Sequence, residues 1–312
     1  MGAKSKIVVV GSLNMDVVVK AKRPPRMGET ILGDEVHFVP GGKGANQAVA
    51  AAKLGSEVTM IGSVGQDPFG HSLLRSLQEQ GIRSQTVRVL PGVPTGVASI
   101  ILAQEDNCII VVSGANSHCQ PEHVAEYQEY IKMADVVLLQ LEIPLDTVQY
   151  AAQLAKELGK TVILNPAPAQ NLPDTLLRNV DYITPNQSEL ELLTGISPEK
   201  EGLEAGMNQL LKRGVRHVIT TLGREGAAVL SSGEPLVRVA GYRVPVVDTT
   251  GAGDAFNAGL ACALAEQKRV KAAIDFAGKV AALAVTKLGA QPGMPTRAEV
   301  NCTFFERGAD AT

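Results

Sequence analysis

The run Asp248-Thr249-Thr250-Gly251-Ala252-Gly253-Asp254 sets an acid directly behind a glycine-rich turn. A β-like stretch, Tyr242–Val247, enters the run, and a helix-forming pattern leaves it from Asp254. Small residues let an anion come close to the backbone. Unpaired N–H groups at a helix start bind such an anion, and the helix dipole adds to the attraction. Asp254 taken alone has two readings. It can be an acid in the first helical turn that interacts with the dipole, or a catalytic base. A capping acid needs no Gly-Ala-Gly in front of it. A phosphoryl group in transfer needs donors around it and a base beside the nucleophile, so the run as a whole points to phosphoryl transfer.

A second glycine-rich run, Pro40-Gly41-Gly42-Lys43-Gly44-Ala45-Asn46-Gln47-Ala48, also opens a helical pattern. It is not a Walker A loop, because Gly44 follows Lys43 and His37 stands where the first glycine belongs. Gly159-Lys160-Thr161 fails in the same way, with Leu154 at the required glycine. Nor is the second run a dinucleotide fingerprint, since Gln47 occupies the place of the third glycine. What remains is a turn presenting Lys43 and Asn46 at a helix start, suited to hydroxyl-rich ligands or simply a tight turn with a solvated lysine. Asn14 and Asp16 follow the first apolar block. In extended chain they share a face, as a ligand site beyond a strand end or as an Asx turn.

The elements that must position these residues alternate along the chain. Strands are expected at Ile7–Val10, Val58–Ile61, Val136–Leu139, Val162–Leu164, Tyr182–Thr184 and Val218–Leu222, several of them continuous apolar runs typical of a buried parallel sheet. Helical patterns lie at Ala45–Leu54, Phe69–Gln80, Glu122–Met133, Leu145–Leu158 and Leu203–Arg213, followed by Gly55, Gly81, Gly159 and Gly214 in C-cap position. Asp254–Glu266 and Val270–Leu288 are Ala-rich helices with little charge, which implies burial. Residues 17–39 and 94–112 lack a helical period and carry paired β-rich pieces, the second pair (Val97–Leu102, Cys108–Val112) turning at Glu105-Asp106-Asn107. The expected fold is α/β, a mostly parallel central sheet flanked by helices on both faces, in a single domain over residues 1–312. Lid strands at about 13–40 and 95–113 are inserted in it as a small β-sheet lid over the site.

Of 312 residues, 29 are Lys or Arg and 32 are Asp or Glu, a net charge of −3. With no basic run, nucleic acid is not expected as a partner. No apolar stretch approaches the ~18 residues of a membrane span, and the N-terminal apolar block is too short for a signal peptide. Cys108, Cys119, Cys262 and Cys302 are scattered and form no C-x-x-C pair, which suits the cytoplasm. His118, Cys119 and His123 fit no zinc spacing.

These segments together resemble the ribokinase-type, or phosphofructokinase-B, family of carbohydrate kinases. Its two signatures resemble Gly41–Gly55 and Asp248–Asn257. The resemblance runs in order through Asn14-Met15-Asp16, Gln140-Leu141-Glu142, Asn165-Pro166-Ala167-Pro168-Ala169, Thr184-Pro185-Asn186 and Thr221-Leu222-Gly223. It implies that Asn14, Asp16, Gly42, Lys43, Asn46 and Glu142 bind sugar hydroxyls and that Asp254 takes the proton of the 5-hydroxyl. The amides of Gly251, Ala252 and Gly253 would form an anion hole. Asn186 would approach the ATP phosphates, Glu189 would help place Mg²⁺ through water, and Thr221, Leu222, Gly223, Gly226 and Gly278 would line the nucleotide site. A monovalent cation, K⁺, would sit near Asp248, Thr250, Ala284, Lys287, Gly289 and Gly293. Relatives often carry Ser where Gly293 stands, and Gly278 offers only backbone where an adenine contact is expected. By themselves Glu142 and Glu189 are isolated acids, commonly just solvated.

The expected function is transfer of the γ-phosphoryl of MgATP to O5 of D-ribose. The lid would exclude water and, as in the family, pair between subunits of a homodimer. The alternatives are a kinase for deoxyribose, fructose or a nucleoside, or a non-catalytic sugar-binding protein on the same scaffold. A nicotinamide-dependent dehydrogenase fails for lack of the fingerprint.

Overall fold

The computed structural model describes residues 4–103 and 106–309. In chain order the strands are β1 (Lys6–Val10), β2 (Asn14–Lys20), β3 (Glu35–Gly41), β4 (Glu57–Gly65), β5 (Val87–Leu90), β6 (Gly96–Ala103), β7 (Asp106–Val112), β8 (Val136–Leu139), β9 (Thr161–Leu164), β10 (Tyr182–Ile183), β11 (His217–Thr221), β12 (Gly226–Ser231) and β13 (Val237–Ala240). The α-helices are α1 (Lys43–Lys53), α2 (Pro68–Glu79), α3 (Pro121–Glu126), α4 (Gln128–Met133), α5 (Leu145–Glu157), α6 (Asp174–Leu177), α7 (Gln187–Thr194), α8 (Leu203–Lys212), α9 (Ala252–Ala265), α10 (Val270–Ala284), α11 (Ala290–Gly293) and α12 (Arg297–Ala309).

The main sheet has the order β13-β12-β11-β10-β9-β8-β1-β4-β5. All its pairs from β5 to β11 are parallel, and β12 and β13 add antiparallel strands at one edge. The apolar run of β1 is divided between two cores, as its alternating side chains require. Ile7 and Val9 pack with α1, α9 and α10, while Val8 and Val10 pack with α5, α8 and the other helices of the opposite face. Helix α9 is buried from Asp254 through Ala263. Small side chains are what let it lie this close to α1 and α10.

The small sheet has the order β3-β2-β6-β7. The two expected hairpins do pair into one sheet, through a parallel β2–β6 contact that sets Asn14 opposite Gly96 and Asp16 opposite Ala98. β2 begins at the end of the turn after β1 and β3 runs directly into α1, so the root of the lid is also the start of the first helix. Of the expected turn at 105–107, residue Glu105 lies outside the described residues. Gly55, Gly81, Gly159 and Gly214 stand at positive φ just past helix ends, as expected.

Three expected elements differ. Tyr242–Val247 is not a strand. Pro245 removes an N–H from its middle, and the sheet edge is taken instead by β13, which pairs with β12. The pattern Glu122–Met133 is divided at Tyr127 into α3 and α4. The expected helix Val270–Leu288 stops at Ala284 as α10, where Thr286 and Lys287 donate to Leu283 and Ala284 in tightened turns.

Candidate active site

The segment that the resemblance assigns to the sugar is assembled at the root of the small sheet. Gly42 precedes α1 at φ 89 with no side-chain cap. A Cβ there would fall 2.7 Å from the backbone nitrogen of Asn14, so only glycine fits. The missing cap is supplied from across the fold. Glu142, in the loop after β8, accepts the N–H of Lys43 at 3.1 Å, the hydroxyl of Ser12 at 2.5 Å and the amide of Asn14 at 3.4 Å. A carboxylate at this helix start satisfies an otherwise open donor and interacts with the dipole. Glu142 is therefore not the solvated acid that an isolated glutamate usually is. Asn14 and Asp16 share a face of β2, and the carboxylate of Asp16 lies across the Cα of Gly41, where a Cβ would collide at 2.3 Å.

Asp254 is the third residue of α9, behind Gly251 at φ 78. It does not cap its own helix. Its Oδ2 accepts from Asn46 Nδ2 at 3.0 Å and its Oδ1 from Gln47 Nε2 at 3.0 Å, both from α1. Asn46 is oriented in turn by Gln291, which donates to its Oδ1 at 3.2 Å.

Four carboxylates and one ammonium share this space. Burial pushes the Asp16 carboxyl up to about 7, with Glu142 and Asp254 adding to the rise. Burial also raises Asp254, opposed by Lys43 and by the amides of Asn46 and Gln47. It raises Glu189 too, against the Asn186 N–H and Lys43. For Lys43, burial disfavours the ammonium, but Asp254, Glu142 and Glu189 outweigh it and its pKa lies above the ordinary lysine value. Lys43 thus feels Asp254, Glu142 and Glu189 together.

Asn186 and Glu189 form a reciprocal capping box on α7, with Asn186 Oδ1 accepting from Glu189 N and Glu189 Oε2 accepting from Asn186 N, each at 2.8 Å. Asn186 bridges to Thr221, whose N–H donates to Pro185 O. The turn Leu222, Gly223, Gly226 is closed by the Leu222 N–H on Gly226 O at 2.8 Å. These expected nucleotide residues stand together beyond the carboxyl ends of β10 and β11. Gly278 lies in α10 against the ring of Tyr242, with room for a Cβ at 3.8 Å. Of the three expected anion-hole amides, that of Ala252 donates to Thr249 O at 3.1 Å.

The expected cation residues also converge. Asp248 Oδ1 accepts from Thr250 N and Oγ1 at 2.9 and 2.6 Å, and Oδ2 accepts from Gly289 N at 2.8 Å. Burial works against the Asp248 carboxylate, but these donors hold its pKa below the ordinary value. A Cβ on Gly293 would point at the carbonyls of Ala284 and Lys287, at 3.1 and 3.6 Å. The side chain absent at 293 is therefore absent beside the carbonyls that the family resemblance assigns to the ion. Lys53 Nζ ties the same loop through Gln291 O and Met294 O at 2.9 and 3.1 Å. Among the described residues, no three His, Cys, Asp or Glu side chains form a metal-binding cluster.

Sequence reasoning assigned no role to Ser12, Gln47, Asn116, Gln140, Asn165 or Gln291. Gln47, Gln140 and Asn165 sit inside the segments that carried the resemblance, which was the available signal. Asn116 carried none. It is buried, accepts from Leu13 N at 2.9 Å and donates to Asn14 Oδ1 at 2.7 Å, which turns the Asn14 amide donor toward Glu142.

A helix-flanked parallel sheet, a small sheet rooted at a Gly-Gly-Lys turn, and an acid behind a glycine-capped helix start together define a carbohydrate kinase. The family model described as "pfkB family carbohydrate kinase" matches residues 4–297, and the chain belongs to that family. The chain is 42% identical to the ribokinase of Bacillus subtilis (strain 168), over 94% of this chain and 97% of that one. It is 37% identical to the deoxyribokinase of Salmonella typhi, over 95% and 97%. The structure of Arabidopsis thaliana ribokinase complexed with ribose and ATP superposes with a TM-score of 0.91 at 37% identity, covering 96% of this chain and 98% of that one.

Proposed function

We propose that this kinase transfers the γ-phosphoryl group of MgATP to O5 of D-ribose, giving D-ribose 5-phosphate and ADP, with Asp254 as the base. The carrying observation is the Asp254 carboxylate. It stands in the first turn of α9, behind the glycine turn, and it is fixed by amides of the very segment that resembles the sugar-binding signature. The B. subtilis and A. thaliana relatives support ribose as the acceptor. The Salmonella relative supports deoxyribose as the second reading.

In this reading Asn14, Asp16, Lys43, Asn46 and Glu142, with the backbone of Gly42, hold the sugar. The 5-hydroxyl oxygen attacks the γ-phosphorus in line, its proton passes to Asp254, and the bond to the β,γ-bridging oxygen breaks toward ADP. The amides of Gly251, Ala252 and Gly253 stabilise the transferring group. The Ala252 N–H must leave or share Thr249 O to do so. Asn186, Thr221, Leu222, Gly223, Gly226 and Gly278 receive the nucleotide, with Gly278 limited to backbone and van der Waals contact. Mg²⁺ would neutralise phosphate charge, held mainly by phosphate and water, with Glu189 in reach of that shell. K⁺ would lie on the carbonyl-rich loop of Thr250, Ala284, Lys287, Gly289 and Gly293 beside Asp248, a donor set of oxygens that fits such an ion, and would order the anion-binding turn.

The protein acts as a homodimer through the lid in this reading. On the face of the small sheet opposite Asp16, Val36, Phe38, Ile110 and Val112 are all more than half exposed. An edge strand this apolar is normally covered. No helix among the described residues is long and apolar enough to cross a membrane, and the four cysteines are free, in keeping with a cytoplasmic enzyme. An acceptor screen with ATP, run with and without K⁺ on ribose, deoxyribose, fructose and nucleosides, tests the reading. Fastest ADP release with ribose supports it. Preference for another sugar moves the acceptor. Tight ribose binding without ADP from any sugar contradicts a kinase.

A further inference from the structure

We propose that Gln47 is a positioning residue that gives the two oxygens of Asp254 different tasks, holding Oδ1 to the protein and leaving Oδ2 to receive the sugar proton. The inference rests on the reading of Asp254 as the base.

Asn46 and Gln47 are consecutive residues of α1, so their side chains leave the helix about 100° apart and reach the carboxylate from two directions. Each takes a different oxygen, at 3.0 Å. The two bonds sit in different surroundings. Gln47 is fully buried and clamped from behind. Its Nε2 also donates to Asn165 Oδ1 at 3.2 Å, and its Oε1 accepts from Gln140 Nε2 at 2.6 Å. Gln140 is fully buried as well, and its own Oε1 has no hydrogen-bond partner among the described residues. That oxygen lies over Gly11, where a Cβ would stand 2.1 Å away.

An orphaned acceptor in the interior carries a free-energy cost, and turning the Gln140 amide would change which atom is orphaned. The chain forbids the turn. A carboxylate only accepts, so Gln47 must present N–H to Asp254 and its carbonyl backward. Gln140 must then present N–H to that carbonyl. The polarity of the whole buried relay is dictated by an ionised Asp254 at its far end. Oδ1 is therefore committed to the protein. Oδ2 faces Asn46, which belongs to the sugar-binding set and can exchange its bond for one to a sugar hydroxyl. A fixed Oδ1 also fixes the carboxylate plane, which is what near-attack geometry at O5 requires.

The charged groups facing Asp254 are Lys43 from α1, Glu142 from the loop after β8, Asp16 from β2 and Glu189 from α7. Against three other carboxylates, Gln47 is one of the few groups that favour the charged base. The test is Gln47→Met and Gln47→Glu, with kcat and the KM values for ribose and ATP measured from about pH 5.5 to 9 and melting curves on each preparation. For Gln47→Met the expected result is a kcat lowered about 10- to 100-fold, with KM for ATP unchanged, and an acid limb moved to higher pH by about one unit. Gln47→Glu keeps the volume and the bond from Gln140 but sets a second carboxyl against Oδ1, and should move the limb further. If Gln47→Met does not fold, Gln47→Glu decides. A profile that superimposes on the parent, or falls uniformly without moving, overturns the inference. Asp254→Asn run in parallel separates the two claims. If it retains turnover, the base assignment fails. If it is inactive while the Gln47 profiles do not move, only the positioning role fails.

Discussion

Asp16→Asn should make the sugar-free protein more stable, and more so at pH 8 than at pH 5. Asp16 is held at a carboxyl pKa of about 7, against 3.8 for the free group, by burial and by Glu142 and Asp254. The folded state thus binds a proton more tightly than the unfolded chain. The protonated carboxyl is tolerated fully below about 3.8, and stability is lost as pH rises through about 7. Transmitted in full, that interval corresponds to about 4 kcal/mol. Asp16 keeps part of its surface in water and its neighbours relax, so about 1–2 kcal/mol is the expected growth of the penalty between pH 5 and 8. Asparagine has no charge to lose. At about 2 °C per kcal/mol for a chain of this size, the melting-temperature advantage of Asp16→Asn over the parent should grow by about 2–4 °C between those pH values. Differential scanning calorimetry of both proteins without ligands reads it directly, since titrations away from this carboxylate cluster cancel in the difference. The same substitution removes a charged acceptor from the sugar, so ribose binding should weaken about 10- to 100-fold. An advantage that does not change with pH, or a variant equally destabilised at both, would refute the electrostatic account of the site.

Two further outcomes follow from the geometry. Gly42→Ala must place a Cβ 2.7 Å from the Asn14 nitrogen at φ 89, which should cost about 2 kcal/mol or more and raise KM for sugar; a melting temperature within about 1 °C of the parent would contradict it. Ile110→Lys places a charge on the exposed face of the small sheet opposite Asp16 and should convert the proposed homodimer to monomer in analytical ultracentrifugation, with the melting temperature of the fold little changed. Persistence of the dimer would show that the lid face is not the contact.

The parallel sheet was legible because β1, β8 and β9 are short apolar runs bounded by polar residues, and both faces of the sheet need such strands. The lid was legible because residues 17–39 and 94–112 have strand-like pieces and no helical period. Tyr242–Val247 misled because its β-branched residues outweighed Pro245, which cannot donate in a ladder, and because the sheet edge is already occupied by β13. The glycine turns before α1 and α9 announced the site, because close approach and positive φ exclude side chains there. The relay from Gln140 through Gln47 to Asp254 was not legible. Its bonds join residues 93 and 207 positions apart, and a glutamine in a helix looks the same whether it meets solvent or a buried carboxylate. Glu142 was hidden for the same reason. Its partners Ser12, Asn14 and Lys43 come from segments 99 to 130 residues away.

The central claim is that Asp254 removes the proton of the sugar hydroxyl. Its most direct test is Asp254→Asn, with turnover in an ADP-coupled assay and ribose affinity by calorimetry measured on one preparation. Asparagine keeps the size of the side chain and can still accept from Gln47 through its oxygen, while its amide nitrogen replaces the oxygen that faces Asn46 and cannot take a proton. The expected result is a kcat reduced about 10²- to 10⁴-fold with ribose affinity within a few-fold of the parent. A kcat within about tenfold of the parent, at unchanged affinity, would contradict the claim.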